Sequence, residues 1–149
     1  MWRLLQWIIL FGGSTTNSAY EKYFKSDIEQ FEKSLKSIDV KQMDALVNAC
    51  ENTLKTGHKI IASGLGKNVP ICDKFVGTML SMGLDANFLH TNTAVHGDMG
   101  MVKTGDLVIV LTKSGATAES VYLVDLLKKR GGIKLWLLTF EEHSALADS

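Results

Sequence analysis

Two loops of this chain combine glycine with hydroxyls at the end of an apolar run. Residues 108–120, VIVLTKSGATAES, lead a buried-type strand into Thr112, Ser114, Gly115 and Thr117, with Glu119 directly after. Residues 62–68, ASGLGKN, do the same with Ser63, Gly64 and Gly66 ahead of Lys67. Glycine lets backbone approach a ligand closely, and hydroxyls donate to phosphate oxygens. A helix starting there adds unpaired N–H groups and about half a positive charge, so it holds phosphate without a cation. Both loops therefore read as phosphate cradles. The plainer alternative is a tight strand-to-helix turn in which Ser114 only caps the helix.

A third stretch, AVHGDMGMV (94–102), sets His96 two residues before Asp98. That pair suits an acid/base imidazole with an orienting carboxylate, or equally a pair that stabilises the loop. Lys67 is placed to neutralise a developing oxyanion, unless it is simply solvated. Glu119 falls in the first turn of the helix that follows, where a carboxylate also complements the dipole. A dinucleotide site is disfavoured. GLGKNV puts Val69 where the third glycine belongs, the second strand ends in LHTNT without a ribose-binding carboxylate, and no GxxxxGK[ST] occurs.

The elements that must carry these loops follow from periodicity. Tyr20, Tyr23, Phe24, Ile28, Phe31, Leu35 and Ile38 recur at helical steps from Ala19, with Asn17 or Ser18 as cap. A second helix begins at Asp39, with Gln42 completing a capping box, and stops at Gly57. Strands are predicted at 58–62, 86–90, 106–112 and 133–139, separated by helices running through Leu80 and Met82 and over 118–130. Near-continuous Ile, Val and Leu in these strands indicates burial on both faces, as in parallel sheets. Alternating strands and helices give an α/β, doubly wound sheet. With order 2-1-3-4 the switch point lies between strands one and three, the two that carry the Gly/Ser loops. The fourth strand, IKLWLLT, is too apolar for a solvent-washed edge.

At 149 residues and 46% apolar content the chain forms one core, expected over residues 19–149. Sixteen basic and sixteen acidic residues give zero formal charge, so no nucleic acid or membrane surface is attracted at long range. Cys50 and Cys72 fall inside predicted helices without a pairing pattern, which indicates buried thiols in a reducing, cytoplasmic compartment and neither metal nor disulfide. Residues 1–18 read as an apolar extension. MWRLLQWIILFGG is too short to span a bilayer, which takes ~20 residues. It is loosely signal-like, with Ala19 as a poor cleavage site, and is read instead as a misassigned start.

ASGLGK, AVHGDMGMV, GDLVIVLTKSGATAE and HSALA, in that order, resemble the sugar isomerase (SIS) domain from about Tyr20 to Ser149, most nearly its arabinose-5-phosphate isomerases. The resemblance implies a flavodoxin-like parallel sheet between helices, assembled as a homodimer or homotetramer, with a phosphorylated sugar as ligand and no cofactor. It maps the phosphate onto Thr112, Ser114 and Thr117, and the functional lysine, histidine and glutamate onto Lys67, His96 and Glu119. The chemistry implied is aldose–ketose interconversion through an enediol. This chain departs at Thr93 and Ala116, where the family carries glutamates, and at Asn68 and Val69, where it carries Ser-Gly. A fifth strand, its helices and a further histidine are expected beyond Ser149, so the domain reads as truncated. Lys67, His96 and Glu119 favour an isomerase; Thr93 and Ala116 favour a non-catalytic sensing module.

Overall fold

The structure, a computed structural model, describes residues 17–149. The apolar run at the N-terminus lies outside the described residues, as do the side chains expected to cap the first helix. Internal contacts divide the chain into two units, with the boundary between Met43 and Asp44. The first unit is built on helix α1 (Asn17–Ser37). Its stripe of Tyr23, Phe24, Ile28, Phe31 and Leu35 follows the predicted spacing and stands 43–64% exposed. Helix α2 (Val40–Lys55) opens on Asp39, whose Oδ1 accepts from the Lys41 and Gln42 N–H groups at 2.9 and 3.4 Å.

The second unit contains four parallel strands, β1 (Ile60–Gly64), β2 (Ala86–His90), β3 (Leu107–Leu111) and β4 (Lys134–Leu138), in the order β2-β1-β3-β4. Between them run helices α3 (Val69–Ser81), the short α4 (Thr91–Ala94) and α5 (Ala118–Arg130). Alternate strand residues feed opposite faces. Ile61, Val108 and Val110 pack with Leu123, Val124 and Leu127 of α5, whereas Ile60, Ala62, Leu107 and Ile109 face Leu46 and Leu54 of α2 and Cys72 and Val76 of α3. The result is the doubly wound sheet expected of the pattern, in the flavodoxin-like form that the family resemblance implies. Both cysteines are free; burial, with a smaller push from Asp73, raises the Cys72 thiol to about 11. None of the described helices is long and apolar enough to cross a membrane.

The structure shifts two expectations. β1 begins and ends two residues later than predicted, because His58 and Lys59 are taken up by polar contacts at the opposite end of the sheet. Lys59 donates to Asp106 through its Nζ at 2.7 Å and its N–H at 3.1 Å, and the Lys103 N–H donates to the same carboxylate at 2.7 Å. The stretch after β2, expected as a loop, contains α4 and a 3-10 turn over Asp98–Met101. Here His90 Nδ1 accepts from the Asn92 N–H at 3.2 Å, so the imidazole itself caps α4.

Candidate functional site

The ends of β1 and β3 stand side by side, with Gly64 opposite Leu111 in the ladder. Close approach governs the loop after each strand. At Gly64 a Cβ would lie 2.9 Å from the Asn68 Cβ and 3.0 Å from the Cys72 Sγ, so glycine alone admits the tight entry into α3. The 3-10 turn Gly66–Asn68 leads into α3, with Pro70 in its first turn. Asn68, unremarked in the sequence beyond its departure from the family pattern, donates from Nδ2 to the Leu111 carbonyl at 3.2 Å and joins the first loop to the end of β3.

The second loop is held by its own hydroxyls. Thr112 Oγ1 accepts from the Gly115 N–H at 3.2 Å, and Ser114 Oγ accepts from the Ala116 N–H at 3.3 Å. Each bond occupies an acceptor site of the hydroxyl and leaves its O–H to donate elsewhere. Thr117 is the N-cap of α5, yet its side chain makes no capping bond. The first intrahelical N–H donor is Val121, to the Thr117 carbonyl at 3.0 Å, so the N–H groups of the first turn keep their orphan character. Ser114 is thus not the helix cap.

Between the loops lies a cavity of about 360 Å³. Gly66, Lys67 and Asn68 line one side, and Thr112, Lys113, Ser114 and Thr117 the other. Ser120 and Phe140 complete the lining with Leu65 and Leu111. Of the residues singled out in the sequence, five therefore line this one cavity: Gly66, Lys67, Thr112, Ser114 and Thr117. Five do not. Ser63 and Gly64 belong to β1 instead of the loop, and the Ser63 hydroxyl is fully buried, 3.2 Å from Thr91 Oγ1. A residue in the central strand is covered on both faces, so Ser63 spends its hydrogen bond inside the sheet. Gly115 is buried behind the loop, where it takes φ +60° and a Cβ would run into the Ser144 hydroxyl. Glu119 and His96 are exposed and stand off the cavity wall. Among the described residues no hydrogen bond or ion pair joins His96 to Asp98, so the expected orienting pair is not formed.

Ser120 and Phe140 were missed in the sequence. Ser120, 1% exposed, lies three residues beyond the Thr117 cap and returns to the same side of the first helical turn, a spacing that could have flagged it. Phe140 follows the fourth strand and carries no local signal. Among the described residues no three His, Cys, Asp or Glu side chains gather to hold a metal ion.

Paired loops at the topological switch point of an open parallel sheet define an α/β ligand-binding domain of the doubly wound class. More narrowly, the chain belongs to the SIS domain family, whose model matches residues 53–149. It is 40% identical over 104 residues to arabinose 5-phosphate isomerase KdsD of Pseudomonas aeruginosa, covering 70% of this chain and 32% of that protein. An Escherichia coli CFT073 protein solved in complex with arabinose 5-phosphate superposes with a TM-score of 0.75 at 30% identity, covering 90% of this chain and 71% of the other. The sugar isomerase domain of an RpiR transcription factor from Sphaerobacter thermophilus shares the fold, with a TM-score of 0.68 at 19% identity over 84% of this chain and 68% of its own. The chain spans about a third of the length of the curated relatives it matches.

Proposed function

We propose that the cavity between β1 and β3 binds a phosphorylated sugar and that the chain acts as an aldose–ketose isomerase of such sugars, of the arabinose 5-phosphate/ribulose 5-phosphate type. The observation that carries this reading is the convergence of both hydroxyl- and glycine-bearing loops on one cavity. The phosphate is held by the O–H groups of Ser114, Thr117 and Thr112, by the first-turn N–H groups of α5, and by the backbone at Gly66. Isomerisation removes the proton from C2 of the aldose while the carbonyl oxygen at C1 gains one. The enediol then returns a proton to C1 as the C2 oxygen becomes the carbonyl. Lys67 on the cavity wall is suited to stabilise the enediolate oxygen. Glu119 and His96 are the candidates for moving the protons. The likeness to KdsD and to the neighbour solved with arabinose 5-phosphate supports the substrate class. The same reading carries a homo-oligomer in a reducing, cytoplasmic setting.

A second reading has its own observation. With His96 and Glu119 off the cavity wall, the chain is equally built to hold a phosphosugar without turning it over, as a sensing domain would. Proton NMR of arabinose 5-phosphate with the purified protein in D₂O separates the two. Loss of the C2 proton signal with ribulose 5-phosphate appearing is the isomerase outcome, and it should vanish in Glu119→Gln if that carboxylate is the base. An unchanged spectrum, with sugar lines broadened and phosphate able to reverse the broadening, is the sensor outcome.

A further inference from the structure

Phe140 is 86% exposed, the most exposed of the large hydrophobic side chains among the described residues, yet it lines the phosphate cavity. Its position is fixed by the loop opposite. The Phe140 N–H donates to the Lys113 carbonyl at 3.2 Å, Thr139 Oγ1 donates to that same carbonyl at 3.2 Å, and the Glu141 N–H donates to Thr139 Oγ1 at 3.2 Å. The backbone that carries the aromatic ring is therefore tied to the residue directly before Ser114. Small-molecule sites hold an apolar or aromatic surface beside a few placed polar groups, in cavities of roughly 300–1,000 Å³. At about 360 Å³ this cavity is larger than a phosphate alone requires. The polar groups on its wall (Ser114, Thr117, Ser120, Lys67 and Asn68) suit the phosphate and hydroxyls, and of the apolar lining residues Leu65, Leu111 and Phe140 only Phe140 offers an aromatic face to the carbon side of a sugar.

We propose that Phe140 is a specificity-determining residue whose ring covers the C–H face of the sugar, so that the site prefers a phosphosugar to free phosphate. This rests on the reading of the cavity as a phosphosugar site. An aromatic face is electron-rich and apolar, and it complements the slightly positive C–H groups of a sugar while its edge stays in water. Since Phe140 contributes little to the core, its removal leaves the fold intact, which circular dichroism would verify.

The test is calorimetric titration of the wild-type chain, Phe140→Ala and Phe140→Trp with arabinose 5-phosphate and, separately, with inorganic phosphate. Phe140→Ala is expected to weaken the sugar phosphate about tenfold, the scale of one aromatic contact, while inorganic phosphate binds as before. Phe140→Trp should keep the sugar-phosphate affinity. Unchanged sugar-phosphate affinity in Phe140→Ala, or an equal loss for both ligands, would overturn the assignment. So would intact affinities with an altered mass in solution, which would place Phe140 at a contact between copies. Failure of both ligands to bind the wild type would instead remove the phosphosugar reading itself, and this inference with it.

Discussion

Asp106 is a carboxylate taken almost wholly out of water, and its environment decides its charge. Burial would raise its pKa, but the Lys59 ammonium and the N–H groups of Lys103 and Lys59 outweigh that and hold it below the usual carboxylate range. A group whose folded-state pKa is depressed adds stability above its unfolded value and loses it as pH falls through the folded one. The stability gap between wild type and Asp106→Asn should therefore be widest above about pH 4, the ordinary Asp value, and should close on acidification. Urea unfolding across that range measures it. Lys59→Met leaves the carboxylate without its cation and should cost roughly 3 kcal/mol at neutral pH, the scale for breaking one side of a buried pair.

At the scale of elements, the loop after β3 depends on a segment remote in sequence. The Leu146 N–H donates to the Gly115 carbonyl at 3.0 Å, and Ser144, whose Oγ accepts from the Ala147 N–H at 3.1 Å, occupies the space a Cβ at Gly115 would need. Gly115→Ala meets two obstacles, the left-handed backbone conformation and the Ser144 contact. Its cost should exceed the roughly 1–2 kcal/mol of the conformational term alone. Adding Ser144→Gly should recover the contact share but not the rest. Thermal melts of the single and double variants, with phosphate affinity as a second readout, check this. The same pair shows what was legible beforehand. The four strands followed from apolar runs, because those signals are local, and their order from the doubly wound class that alternating strands and helices indicate. The two-residue displacement of β1 did not, since it follows from Lys59 reaching a carboxylate 47 positions away. Nor did the role of Phe140, which enters the site only through the pairing of β4 beside β3. His96 shows the limit of adjacency in sequence: among the described residues no hydrogen bond or ion pair joins it to Asp98, although the two stand two positions apart.

At the scale of the molecule, the exposed stripe on α1 combines with zero formal charge to favour self-association. Light scattering should give a mass that is a multiple of 16.4 kDa, and Phe31→Asp, at the most exposed point of the stripe, should lower it. A clean monomer in the wild type would refute this. The lysine–carboxylate cluster lies at the start of β3 and the cavity at its other end, about 13–17 Å apart for a strand of five residues. That separation has an evolutionary meaning. Substitutions at Lys67, Lys113 or Ser114 change the lining of the cavity without touching the ionic clasp that secures the sheet. Changes of more than 7–10 Å separation add nearly independently, so the two ends can drift on separate schedules. Such a scaffold is free to exchange one ligand for another while remaining folded throughout.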